Sequence, residues 1–167
     1  MSNYEENVFR SQTSDFGPNP YVTNISAAAR QNNNFRTAIW TGKHLQATLM
    51  SVIDEIGLEM HPDVDQFLYI EEGTGRVSVG DSKKDVNHHA QVTRGFGIFV
   101  PAGTWHNVVN LGDRPLKLYT IYAPPEHPHG TVHITRQDAE EAERAQAGNG
   151  AAANVVEENK EEPAKTT

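Results

Sequence analysis

Between residues 35 and 135 hydrophobic and polar positions alternate in short runs, and Gly, Pro, Asp or Asn breaks the pattern at short intervals. A period of two sends successive side chains to opposite faces of an extended chain, so each run reads as a half-buried strand. Nine runs fit, at 35–40, 44–52, 56–61, 66–71, 76–80, 97–100, 104–110, 116–123 and 131–135. The breaks carry turn chemistry, as in Thr41-Gly42-Lys43, Gly73-Thr74-Gly75 and Pro101-Ala102-Gly103. No helical pattern fills the gaps, which excludes alternating βαβ units and predicts an antiparallel sandwich or barrel. Gly73-Thr74-Gly75 opens no helix, so it reads as a hairpin turn and not as a phosphate-binding loop.

The flanks differ from this centre. Residues 1–34 are rich in Asn, Ser and Gly-Pro turns and form an N-terminal extension, with one short strand or helix at 21–30. This extension is expected against the outside of the barrel or against a partner. Residues 136–147 show the charge pattern of a short helix, and 148–167 lack aromatics and bury too little to fold, so a disordered acidic tail is expected there. One domain, at 35–135, holds most of the Val, Ile, Leu and Phe.

Charge and composition then narrow the partners. Lys and Arg number 14 against 22 Asp and Glu, a net charge of −8, and the basic residues are scattered. That argues against nucleic acid and against an anionic membrane surface. The chain has no cysteine, which removes disulfides, thiolate nucleophiles and thiolate-held metals and leaves His, Asp, Glu and amide oxygens as ligands. The first residues show no charged-then-apolar signal pattern and no apolar run is long enough to span a bilayer, so a soluble, cytoplasmic protein is the default expectation.

The most specific segment runs from Gly95 to Asn110. An apolar strand ends at Pro101-Ala102-Gly103, and the next strand carries His106 on the same face as Thr104 and Val108. A lone His in such a strand is more often structural than ligating. Gly95, Pro101, Gly103, His106 and Asn110, however, fit position for position the pattern G-x5-P-x-G-x2-H-x3-N. That is the second signature of the cupins, and the chain resembles a small single-domain member of that superfamily. The resemblance implies an all-β, double-stranded β-helix (jelly-roll-like) barrel, with His106 a metal ligand inside it. Small cupins usually pair through their first strands, so a homodimer is also implied.

The first cupin signature, G-x5-H-x-H-x3–4-E-x6-G, is met only in part. His61 and Gly73 match, but Glu59 stands at the first His position, Gln66 at the Glu position and Ile53 at the leading Gly. The implied metal set is then Glu59, His61, Gln66 and His106, which keeps one negative charge and moves it to another ligand. Glu59 and His61, two apart on a strand, share a face. With His106 they make up a two-His, one-carboxylate set suited to a divalent metal ion, whether Zn, Mn, Fe or Ni, with positions open for substrate. Gln66 is the weakest donor and either ligates or hydrogen-bonds a ligand. The competing expectation puts Glu59 and Gln66 on the surface of a degenerate barrel.

Other polar residues carry weaker signals. His127, His129 and His133 are spaced closely enough for a second metal site or an acid–base lid, but the Pro-rich context predicts solvated histidines in a rigid loop. His88 and His89 are expected exposed in a polar hairpin. Tyr69 and Glu71 lie opposite Gln66 and are expected to pack or face solvent. Trp40 suits either a subunit boundary or the core.

For function, the resemblance implies a small-molecule ligand or substrate. The first expectation is a metal-dependent enzyme on a small polar metabolite, with Lewis-acid chemistry of the isomerase or lyase kind, as in mannose-6-phosphate-isomerase-like cupins. An iron-dependent dioxygenase and a non-catalytic ligand-binding barrel are the alternatives. Near the motifs only Arg76, Lys83, Lys84 and Arg94 are basic, which counts against a phosphorylated substrate.

Overall fold

The computed structural model describes residues 15–158, with side chains described for 15–148. Nine strands form two antiparallel sheets. The larger contains β1 (Arg36–Thr41), β2 (Gln46–Val52), β3 (Asp65–Glu72), β6 (Gly97–Val100), β8 (Leu116–Ala123) and β9 (Val132–His133), in the order β6-β3-β8-β2-β1-β9. The smaller contains β4 (Thr74–Gly80), β5 (His88–Thr93) and β7 (Trp105–Asn110), in the order β5-β4-β7. Met50, Val52, Leu68, Ile70, Leu116 and Leu118 from the first sheet meet Val77, Val92 and Val108 from the second in one apolar cluster. The chain is therefore a two-sheet all-β barrel with its core between the sheets, as the alternating pattern predicts.

Register fixes what else faces inward. Gln46, Tyr122, Gln66 and Val100 lie side by side across β2, β8, β3 and β6, and Thr48, Thr120, Leu68 and Ile98 form the next row. Residues paired across antiparallel strands share a face, so Gln66 and Tyr122 belong to the same interior as Leu68. On the opposite face α1 (Ile25–Gln31) covers the sheet. Its N-cap is Asn24, whose side chain accepts from the Ala27 N–H at 3.0 Å. Ser26 donates to Glu71 at 2.5 Å, and Lys117 reaches Ser51, Asn33 and the Asn32 carbonyl. Of the strand or helix left open at 21–30 the helix forms, and it seats Glu71 in a packed surface. Trp40 lies outside the core: its ring lies over Gly42 and its indole N–H donates to the Asn19 carbonyl at 2.7 Å.

Three elements differ from the sequence pattern. The strand expected at 56–61 is no continuous strand but a segment that pairs with β7 through two isolated bridges, Glu55 with Val109 and Glu59 with His106. Gly57 at φ +109° turns the chain between them, and Pro62 cannot extend the ladder. β5 was not expected, because an edge strand with mostly exposed polar residues lacks the apolar alternation that marks the others; His88 and His89 are exposed on it. The helix after the barrel, α2, spans Arg136–Glu158, past 147, where Ala151, Ala152 and Ala153 supply strong helix formers. Part of the expected disordered tail thus falls within α2, and residues 159–167 and 1–14 lie outside the described residues. Thr135 and Asp138 cap α2 reciprocally, while Ala139 and the Arg136–Glu55 ion pair at 3.0 Å dock it on the barrel. Among the described residues no helix is long and apolar enough to cross a membrane.

Candidate metal centre

The Pro101-Ala102-Gly103 turn and β7 assemble the centre. Gly103, at φ +82°, donates its N–H to the His61 carbonyl at 2.8 Å. Three residues on, Glu59 and His106 exchange both backbone hydrogen bonds, at 2.9 and 3.0 Å. One turn and one bridge thereby set His61, Glu59 and His106 around a common point. Asn110, the last residue of the same motif, is a staple: its amide donates to the carbonyls of Val52, Ile53 and Arg114. Glu59 and His61 share a side as expected, although the bridge and the turn, not a regular strand, put them there.

One donor atom from each of Glu59, His61 and His106 lies within 4.8 Å of the others. Glu59 Oε1 is 3.2 Å from His106 Nε2 and 3.5 Å from His61 Nε2. All three atoms are buried and none has a hydrogen-bond partner, so these contacts lack hydrogen-bond geometry. Buried polar atoms are otherwise nearly always paired, and three orphans aimed at one point fit a cation that would accept all three. The other ring nitrogens are tied down. His106 Nδ1 lies 2.9 Å from the Thr104 carbonyl and His61 Nδ1 lies 3.1 Å from Glu126 Oε1. Such partners fix the tautomer that leaves Nε2 free for a metal.

The electrostatics agree. Burial opposes ionisation of Glu59, but His106, His61 and Arg36 outweigh it and hold the carboxyl well below the usual carboxylate range. Burial likewise disfavours charge on His61, yet Glu126 and Glu59 overcome it and raise its pKa to about 9. Gln66 is buried on the same inner face; its amide donates to Thr120 at 3.0 Å and its Oε1 has no partner. It is not a surface residue, and its free oxygen is of the type a hard cation accepts.

The histidines of the 124–133 segment divide. His129 is exposed and contacts Asp15 and the Gly17 carbonyl. His127 is not solvated: its Nε2 is buried without a partner and its ring meets Tyr122 edge-on, with centroids 5.1 Å apart. Burial and the nearby Arg36 push its pKa down to about 2. The Pro-rich loop folds over the barrel mouth, which the sequence pattern does not reveal. Glu126, in the same loop, carries no sequence signal for that reason. Tyr122, fully buried beside His61, has its hydroxyl pushed up to about 12 by burial, so it remains a hydrogen-bond donor.

The likenesses to known proteins agree with this fold. A family model described as "Cupin domain" matches residues 50–122. An uncharacterized protein of Bacillus subtilis, YrkC, is 60% identical over 131 residues, covering 77% of this chain and 70% of that one. Protein L612 of Acanthamoeba polyphaga mimivirus, also uncharacterized, is 40% identical over 119 residues, covering 70% of this chain and 72% of its own. The crystal structure of BH2720 from Bacillus halodurans superposes with a TM-score of 0.75 at 53% identity, covering 76% of this chain and 98% of that one. With its second motif complete, its barrel and these relatives, the chain belongs to the cupin family.

Proposed function

We propose that the chain holds a divalent metal ion on Glu59, His61 and His106, with the Gln66 oxygen as a fourth donor, and acts on a small polar metabolite. The observation that carries this reading is the convergence of three buried, unpartnered donor atoms on one point. When bound, the ion would polarise a carbonyl or enediolate oxygen as a Lewis acid, the chemistry of isomerases and lyases. The chain's own residues supply the rest. Glu126 and the Thr104 carbonyl hold the two imidazoles in orientation. Tyr122 offers a protonated hydroxyl at the site wall, and His127, kept neutral by burial and by Arg36, offers a hydrogen-bonding nitrogen. The loop of 124–133 shields these groups from water.

A second reading, an iron-dependent dioxygenase, draws on the donor set itself, since two His and one carboxylate leave positions open for oxygen and substrate. Oxygen uptake on iron-loaded protein separates it from the first.

Elemental analysis of dialysed protein from a metal-replete culture tests both. Near-stoichiometric metal in the wild type and its loss in a His61→Ala, His106→Ala double variant are expected. An empty wild-type protein would defeat the proposal.

A further inference from the structure

A buried arginine lies on the same interior wall, and the metal site does not explain it. Arg36, at the start of β1, is 1% exposed. Its Nη1 is 3.3 Å from His133 Nδ1, its Nε has no partner, and among the described residues no carboxylate lies within 4.0 Å of its guanidinium. A guanidinium keeps its charge at any physiological pH, and a buried charge without a counter-ion is strongly unfavourable. Proteins retain such a group where something else supplies the opposite charge.

The surrounding atoms show what that is. From the metal centre the wall runs His61, Tyr122, His127, His133, with successive ring centroids 5.8, 5.1 and 6.4 Å apart, and ends at Arg36. The hydroxyls of Tyr122 and Thr48 and the Nε2 of His127 are buried and unpartnered along it. Two hydroxyls and a guanidinium are donors, while Glu59 is directed at His61 and His106 and Glu126 at His61. Among the described residues no carboxylate on the wall pairs directly with the guanidinium. Glu59 and Glu143 already act on Arg36 electrostatically, so a ligand with one negative charge is opposed less there than a phosphate dianion.

We infer that Arg36 is the anchor for a ligand carboxylate, so that the barrel takes small hydroxy or oxo acids whose second oxygen faces the Glu59–His61–His106 centre. The second half of this inference rests on the metal reading; the carboxylate anchor does not. A planar guanidinium matches a carboxylate through two parallel hydrogen bonds, and Tyr122, between the two ends, is placed to donate to the oxygen in the middle.

The test uses the full-length protein and titration calorimetry with lactate, pyruvate, glycolate and malonate, with lactamide as the uncharged control and inorganic phosphate as the competing oxyanion. At least one acid should bind at least ten times more tightly than lactamide or phosphate. Arg36→Leu should lose at least tenfold of that affinity, keep the wild-type metal content, and melt, without ligand, at or above the wild-type temperature because a buried unpaired charge has been removed. Arg36→Lys, which keeps the charge without the fork, should fall between. A marked drop in the melting temperature of ligand-free Arg36→Leu, or its failure to fold, together with full binding by Arg36→Lys, would make Arg36 a structural residue and overturn the inference. So would equal binding of acid and amide, tighter binding of phosphate, or no binding by any acid at about 10 mM. Metal content is read on the same samples: a metal-free wild type that still binds acids through Arg36 would sink the metal reading and leave the anchor standing.

Discussion

The two ends of the barrel interior are made by the same strands and hold opposite kinds of side chain. Along β7, Val108 packs in the apolar cluster and His106, two residues earlier on the same face, points an unpartnered nitrogen at Glu59. Along β3 the corresponding pair is Leu68 and Gln66, and along β8 it is Leu118 and Tyr122. Burial is complete or nearly so at both ends. At the apolar end each buried atom contributes through removal from water and through packing. At the polar end each orphaned group costs roughly 1–3 kcal/mol until something binds it. The fold is thus stabilised at one end and held ready for a ligand at the other, and the two ends should respond to different perturbations.

The largest effect is expected at the apolar end. Leu68→Ala should lower the unfolding free energy by about 2–5 kcal/mol, read by chemical denaturation, while metal content stays at the wild-type value. A smaller and opposite pattern is expected at the polar end. Glu126→Ala removes the group that orients His61 and should weaken metal affinity about 10–100-fold, with little change in the stability of the metal-free protein at about pH 10, where His61 is neutral. Loss of metal in Leu68→Ala that still folds, or unchanged affinity in Glu126→Ala, would erase the distinction between the ends.

Acidity should also separate them, more gently. In metal-free protein the folded-state pKa of His61, about 9, lies above its unfolded value near 6.5, so the folded state holds the proton more tightly. Its contribution to stability is fully present below about pH 6.5 and is lost as the pH rises through about 9. Denaturation of chelated protein at about pH 6 and pH 10 should show that loss in the wild type and not in His61→Ala. The apolar end has no titrating group and should contribute equally at both. A loss of the same size in both proteins would assign it elsewhere.

Much of this was legible in the residues. Alternation marks the strands that form the core, because burying one face of a pleated strand imposes a period of two. His106 is legible through its motif, whose Gly103 and Asn110 are there for backbone reasons that the structure makes explicit. The segment at 56–61 was read as a strand because Ile56, Leu58 and Met60 alternate with polar neighbours, yet one positive-φ glycine suffices to break it. β5 escaped because an edge strand needs little apolar surface. Glu126 and His127 escaped because nothing periodic tells a loop folded over a barrel mouth from one in solvent. Arg36 is not legible because charge in a strand ordinarily faces water.

The central claim is that Glu59, His61 and His106 share one metal ion, and anomalous diffraction at the zinc edge from crystals grown with zinc tests it most directly. A single strong peak is expected about 2.0–2.2 Å from Glu59 Oε1, His61 Nε2 and His106 Nε2 together. An interior without a peak, or zinc bound only at exposed histidines such as His88, His89 or His129, would contradict it.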